Sequence, residues 1–352
     1  MSDPTSTFPS TLEGEPLPEP SVWVVRPPRQ RWWLYFLFLV LTLCSTMIVG
    51  ARMEFYFQQH LSVFSLSDDS LPLFPVAWIA QHPANLLMGL PFSLTLMFIL
   101  FAHEMGHYLY ARHYRVYATP PFFLPFPSLI GTLGAFIRIK SPIPSRAALF
   151  DIGIAGPIAG FIPACAALIV GLSLSHPLAH SSASELQLGF PLAFYVAGNL
   201  LHIGVPLSGL SLHPMAAAAW AGMFATSLNL LPGGQLDGGH IVFSITPRLH
   251  KWISLLTVIA MVPLGKYMWF GWFLWAVLLA MTARHPRVPR YPDVSGGRRA
   301  LVVGAALMLI LSFTPAPFTH SSGREVWPQM RDGSRETLHD LRDEARHLLH
   351  RK

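Results

Sequence analysis

Long apolar runs separated by short polar connections set the architecture of this chain. The run Trp32–Ala51 is long enough to cross a bilayer, and so are the runs at about Leu86–Tyr110 and Ala147–Leu174. A fourth, about Met215–Leu231, is followed by two more, about Ile253–Leu264 and Tyr267–Ala283. Only Gly265 and Lys266 separate that pair, which predicts a tight hairpin whose first helix is short unless it starts nearer His240. A last run covers Ala300–Phe318. Residues 192–213 are apolar but broken by Gly198, Gly204, Pro206 and Gly209, a pattern that fits an interfacial or re-entrant segment. The fold class expected is an all-α polytopic membrane protein with about six to seven transmembrane helices.

One stretch breaks the helical rule. Residues 117–146 are too interrupted by proline to form a helix, yet from Gly131 to Lys140 the side chains alternate. Leu133, Ala135, Ile137 and Ile139 fall on one side, and Thr132, Gly134, Phe136, Arg138 and Lys140 on the other. A period of two predicts a short membrane-associated β-strand or hairpin. An open strand edge at membrane depth is tolerated only where it lines a cavity or is buried in protein. An extended substrate pairing with that edge is one reading of it; an ordinary cytoplasmic hairpin is the other.

Composition agrees with a membrane protein: 52% of the 352 residues are hydrophobic and 12% charged, with a mean hydropathy of +0.44. The net charge of +6 does not point to nucleic acid, because Lys and Arg sit in short segments beside the apolar runs and act as topology signals. Arg26, Arg29 and Arg31 precede the first run and place the N-terminus in the cytoplasm. Residues 53–86 carry no Lys or Arg and read as extracytoplasmic, so the second run travels inward. The expected location is the cell (inner) membrane. Residues 1–30 hold seven prolines and read as a disordered cytoplasmic tail, with no basic n-region of a cleavable signal. Residues 31–318 form the membrane domain, and 319–352 a charged tail with a weakly amphipathic pattern. Cys44 and Cys165 lie in apolar runs and offer no disulfide framework.

The chemistry is concentrated in FILFAHEMGHYLY, Phe98–Tyr110. On a helix His103 and His107 stand one turn apart on one face, the spacing at which two imidazoles hold one zinc ion, with Glu104 beside them as a general base. Ionisable side chains at membrane depth are costly and mark function by default. A water-activating zinc needs a third protein ligand and one open position. Asp237, in NLLPGGQLDGGH at residues 229–240, arrives at the same depth from another run that also travels inward. An Asp-Gly pair is also common in turns, which is the plain alternative for Asp237. The remaining histidines, His202 and His240 among them, lack paired spacing. The spacing of Gly156 and Gly160 reads as close helix packing, with no chemistry assigned.

HEMGH in a transmembrane segment, with NLLPGGQLDGG more than a hundred residues downstream, resembles the site-2 proteases, intramembrane zinc metalloproteases. The resemblance covers about residues 87–247. It implies one zinc ion held by His103, His107 and Asp237, with Glu104 as the base, and it implies that Asn229 and Pro232 help position the substrate. GTLGAFIRIK, with Gly134, Phe136 and Ile137, looks like the family's strand beside the active site. The forty or so residues of 174–213 are too few and too apolar for a PDZ domain, so the chain is similar to the PDZ-less branch. Gly233, Gly234 and Gln235 stand where many members carry a second proline. The expected activity is cleavage of a peptide bond in or next to a transmembrane segment. The expected partners are single-span membrane protein substrates and the lipid bilayer, with no nucleic acid; the oligomeric state is left open.

Overall fold

The computed structural model describes residues 31–64, 71–179, 187–283, 285–286, 288–289, 291–319 and 321–327. The expected N-terminal tail and most of the charged C-terminal tail lie outside these residues. The first element is helix α1, Trp32–Gln58, followed by a short α2, Val76–Gln81. A 3-10 turn at Pro83–Gly89 leads into α3, Leu90–His113. Strands β1, Phe122–Pro125, and β2, Thr132–Phe136, come next, and then the long helix α4, Arg146–Leu174. Strand β3, His176–Pro177, pairs antiparallel with β4, Leu210–Ser211. Between them lies α5, Leu192–Leu200. The chain continues with α6, Pro214–Asn229, α7, Asp237–Ile245, α8, Pro247–Tyr267, α9, Gly271–Met281, and α10, Gly297–Ser312.

Helix α4 is the central post. Ser145 caps its start by accepting a hydrogen bond from the Ala148 amide at 3.1 Å. Residues Ala147 to Pro157 are buried without a break, so this end of the helix meets protein all round, with α3, α6 and α7 packed against it. Small residues make that packing close. Ala216–Ala219 of α6 are fully buried, and a Cβ at Gly171 of α4 would run into the Ala216 backbone. Without a hydrophobic drive between helices in lipid, such van der Waals contact is what holds them together.

Three helical stretches are long and apolar enough to cross a membrane: Trp32–Gln58, Pro83–His113 and Arg146–Ser173. The expected count of six to seven is therefore not reached by length and composition. Helices α6 and α10 have 16 residues each and α9 has 11, short of the span requirement. Proline ends two of them, with Pro232 after α6 and Pro315 after α10. The predicted turn at Gly265 and Lys266 is displaced. Helix α8 runs through both to Tyr267, because Gly265 serves as a contact point: a Cβ there would lie 2.9 Å from the Phe273 ring of α9. The chain turns at 268–270 instead.

The period-two segment forms a hairpin, with Phe122 opposite Phe136 and Leu124 opposite Gly134. Regular pairing stops at Phe136, short of the Lys140 that alternation alone suggests, but the Thr119 amide donates to the Arg138 carbonyl at 2.9 Å and the Lys140 amide to the Tyr117 carbonyl at 2.8 Å. The two faces do not sort into buried and exposed by hydrophobicity. Thr132 is buried, its Oγ1 donating to the Leu124 carbonyl at 2.7 Å, whereas Leu133 is exposed.

Helix α10 is tied to the central post by charge. Arg298 forks onto Asp151 of α4, with Nε to Oδ1 and Nη2 to Oδ2 both at 2.8 Å, and the Tyr114 hydroxyl at the end of α3 donates to the same carboxylate. Two-point guanidinium–carboxylate bonds are the strong class of ionic contact. Arg298→Gln and Asp151→Asn are each expected to lower the unfolding temperature of the detergent-solubilised protein. In a thermal melt the double variant should fall little further than either single, whereas additive losses would mean that the two side chains do not act as a pair.

Candidate metal centre

Helix α3 presents His103 and His107 one turn apart, and both are buried. Asp237, the first residue of α7, meets them after the turn Leu230–Leu236 that follows α6. That turn depends on glycine. Gly234 has φ of +59°, and a Cβ at Gly238 or Gly239 would collide with the backbone of Leu230 or of Gly233 and Gly234. The glycines of PGGQLDGG thus allow the chain to fold back on itself and aim Asp237 at α3.

The three donor atoms form a near-equilateral triangle. His103 Nε2 to Asp237 Oδ2, His107 Nε2 to Asp237 Oδ2 and His103 Nε2 to His107 Nε2 are all 3.2 Å. Three donors each about 2.0 Å from a tetrahedral zinc ion stand about 3.3 Å apart, so the donor set fits such an ion in both chemistry and spacing. Among the described residues this is the one group of three His, Cys, Asp or Glu side chains with ligand atoms converging within 4.8 Å.

The surrounding protein orients the ligands. His107 Nδ1 donates to the Ile152 carbonyl of α4 at 2.7 Å, which leaves Nε2 unprotonated and aimed at the triangle. Gly156 and Gly160 are the seats of the two rings. A Cβ on Gly156 would overlap the His107 ring, and one on Gly160 would lie 2.9 Å from His103 Cβ. Asn229, the last residue of α6, brings its side-chain amide to 3.4 Å from His103 Nε2.

The triangle opens into a cavity of about 780 Å³ that also holds Glu104, Phe136, Ile137 and Asn229. Glu104 is buried there beside the Ile137 backbone amide. Pro142, Pro144, Pro286 and Pro289 also line it. Two of the residues expected at the site are elsewhere. Gly134 lies on β2 with φ of +105° and open space around it, outside the cavity lining. Pro232 lines a separate apolar pocket on α8, its carbonyl accepting from Thr257 Oγ1 at 3.3 Å. The turn that delivers Asp237 carries Pro232 away from the metal ligands.

Residues 91–265 match the family described as peptidase family M50. The chain belongs to that family. Its matched region holds the whole HEMGH and LDGG constellation, together with β2 and α4. The chain is similar to a protein of Arabidopsis thaliana described as probable zinc metalloprotease EGY2, chloroplastic, at 34% identity over 50% of this chain and 32% of that relative. It is also similar to the probable zinc metalloproteases EGY1 of Arabidopsis thaliana and Oryza sativa subsp. japonica. These are 28% and 29% identical over 64% of this chain, and over 43% and 41% of the relatives. The chain thus spans less than half the length of these relatives.

Several contributors were not readable as site residues from sequence. The Ile152 carbonyl leaves no mark in a side-chain pattern. His240 does leave one, since it follows Asp237 by three residues and so shares its helix face; it lines the cavity with His285. Gly156→Ala is expected to push His107 off the triangle and abolish metal retention, and Gly160→Ala to weaken it. Gly204→Ala, with nothing within 4 Å of the added carbon, should leave it intact, as metal analysis of the purified variants by mass spectrometry would show.

Proposed function

We propose that the chain is a zinc-dependent intramembrane endopeptidase. It cuts a peptide bond in or next to a transmembrane segment of a single-span membrane protein, in regulated intramembrane proteolysis. The observation that best supports this is the 3.2 Å triangle of His103, His107 and Asp237 beside Glu104, carried on a helix apolar and long enough to cross a bilayer. Those three side chains would hold the ion. When bound, zinc supplies Lewis acidity to the scissile carbonyl and to a water molecule.

The protein's own groups handle the protons and the geometry. Glu104 accepts a proton from the attacking water as the new C–O bond forms, and returns it to the leaving nitrogen as the C–N bond breaks. Asn229, with its amide at the triangle's edge, is placed to donate to the substrate carbonyl oxygen. A peptide bond in an intact helix is shielded by its own hydrogen bonds, so the substrate must unwind first. The segment Ala135–Ile139 lines the cavity and offers main-chain partners to the unwound stretch. Phe136 and Ile137 then restrict the side chains that fit. The arginines flanking the first run support a cytoplasmic N-terminus and a site toward the cytoplasmic side of the inner membrane.

Glu104→Gln should keep zinc at the wild-type level while cleavage of a single-span reporter falls by about a hundredfold or more. Asp237→Ala should lose both. Unchanged cleavage by Glu104→Gln would reject the proteolytic reading. Ile137→Pro removes the amide beside Glu104, and is expected to reduce cleavage with zinc content unaltered in the same paired assays.

A further inference from the structure

His240 and His285 line the cavity but belong to no part of the mechanism above. His285 lies in the stretch after α9, with Phe243 stacked on its ring at 3.9 Å and 15°. Its Nδ1 is 2.7 Å from the Pro286 carbonyl oxygen, an atom that only accepts, so Nδ1 carries the hydrogen. Burial lowers the basicity of His285, which favours the neutral ring with a lone pair on Nε2. His240 Nδ1 is 2.8 Å from that lone pair and is therefore the donor. The proton order Pro286, His285, His240 leaves His240 Nε2 as a bare acceptor. It makes no hydrogen bond among the described residues and opens to the cavity.

We infer that His240 is a substrate-binding residue whose Nε2 accepts a hydrogen bond from a backbone N–H of the unwound substrate, and that His285 is the positioning residue that fixes its tautomer. This rests on the proteolytic reading. In an extended chain successive N–H groups point to opposite sides. A strand that pairs with Ala135–Ile139 along one edge thus leaves the N–H groups of its other edge facing the rest of the cavity lining, which includes His240. An unpaired amide N–H taken from water is costly, so each of these groups needs an acceptor from the cavity wall. A neutral imidazole supplies one. His240 is no fourth ligand of the ion, because it stands outside the group of donors that converge within 4.8 Å, and a hydrolytic zinc site keeps its fourth position open.

The test exploits the two ring nitrogens separately. Glutamine places an acceptor near the position of Nε2, whereas asparagine keeps a donor near that of Nδ1. His240→Gln is expected to retain kcat/KM within about twofold, and His240→Asn and His240→Leu to lose about tenfold, the worth of one hydrogen bond, at constant zinc content. Rescue by asparagine instead of glutamine would assign His240 a purely structural role, and zinc loss would make it a ligand; either overturns the inference. The contact also has a readout without turnover. In the Glu104→Gln background, binding of a fluorescent single-span peptide is measured with one backbone amide at a time replaced by an ester. One position should weaken binding about tenfold in that background and leave binding unchanged once His240→Leu is added. Finding no such position overturns the inference even if cleavage is demonstrated; finding it without any cleavage by the wild type sustains the contact and rejects the proteolytic reading.

Discussion

The contact between α3 and α4 at Gly156 and Gly160 is the constraint from which the rest follows. Two imidazoles on one helix face reach a common point only if nothing stands behind them, and the neighbouring helix leaves that space by omitting two side chains. The same approach brings the Ile152 carbonyl to His107. One packing decision thus creates room for the rings, fixes the tautomer of one of them and satisfies a buried carbonyl. In lipid, where helix association gains nothing from excluding water, close backbone contact is also the main source of cohesion. Stability and metal geometry therefore draw on one interface.

Around that interface the fold uses helices for orientation and interruptions for chemistry. Helix α3 fixes the relative position of His103, Glu104 and His107. The glycine-rich turn before α7 has no regular structure, and that freedom lets Asp237 approach from another direction. The hairpin β1–β2 and the stretch after α9 complete the cavity. Irregular backbone at membrane depth is tolerated where it is enclosed by protein or lines a cavity, and these segments do line one. Arg298 on Asp151 anchors the start of α10 one residue from Ile152, so α10 is tied beside the carbonyl that orients a ligand.

Much of this was legible in the sequence because it is written in side-chain spacing. The interval of four between His103 and His107, the pairing of that motif with Asp237, and the alternation from Gly131 to Lys140 each correspond to an element or a convergence in the structure. What escaped was carried by backbone and by absence of side chains. Gly265 reads as a turn but acts as a helix contact. Pro232 reads as a site residue because it lies between Asn229 and Asp237, yet a reversing turn sends its two neighbours in the motif to the metal and Pro232 elsewhere. His240 shares a helix face with Asp237, but its hydrogen-bond partner His285 reaches it from across the fold, where spacing gives no sign. Of the expected spans, three are long and apolar enough among the described residues; in the last run hydropathy continues through Pro315 and Pro317, whereas the helix stops at Ser312.

The proline content of the cavity wall has a consequence for where a chain would be cut. Pro142, Pro144, Pro286 and Pro289 have no amide hydrogen and cannot start a competing ladder. On the proteolytic reading, an extended guest would then find regular main-chain pairing chiefly along the Ala135–Ile139 edge. A strand held on one side keeps its side-chain orientation only when it slides by two residues, since a slip of one turns every side chain to the opposite face. Cleavage governed in this way would be phased: its products would differ in length by even numbers of residues, with the phase set by the strand and the choice within it by the pockets around Phe136 and Ile137.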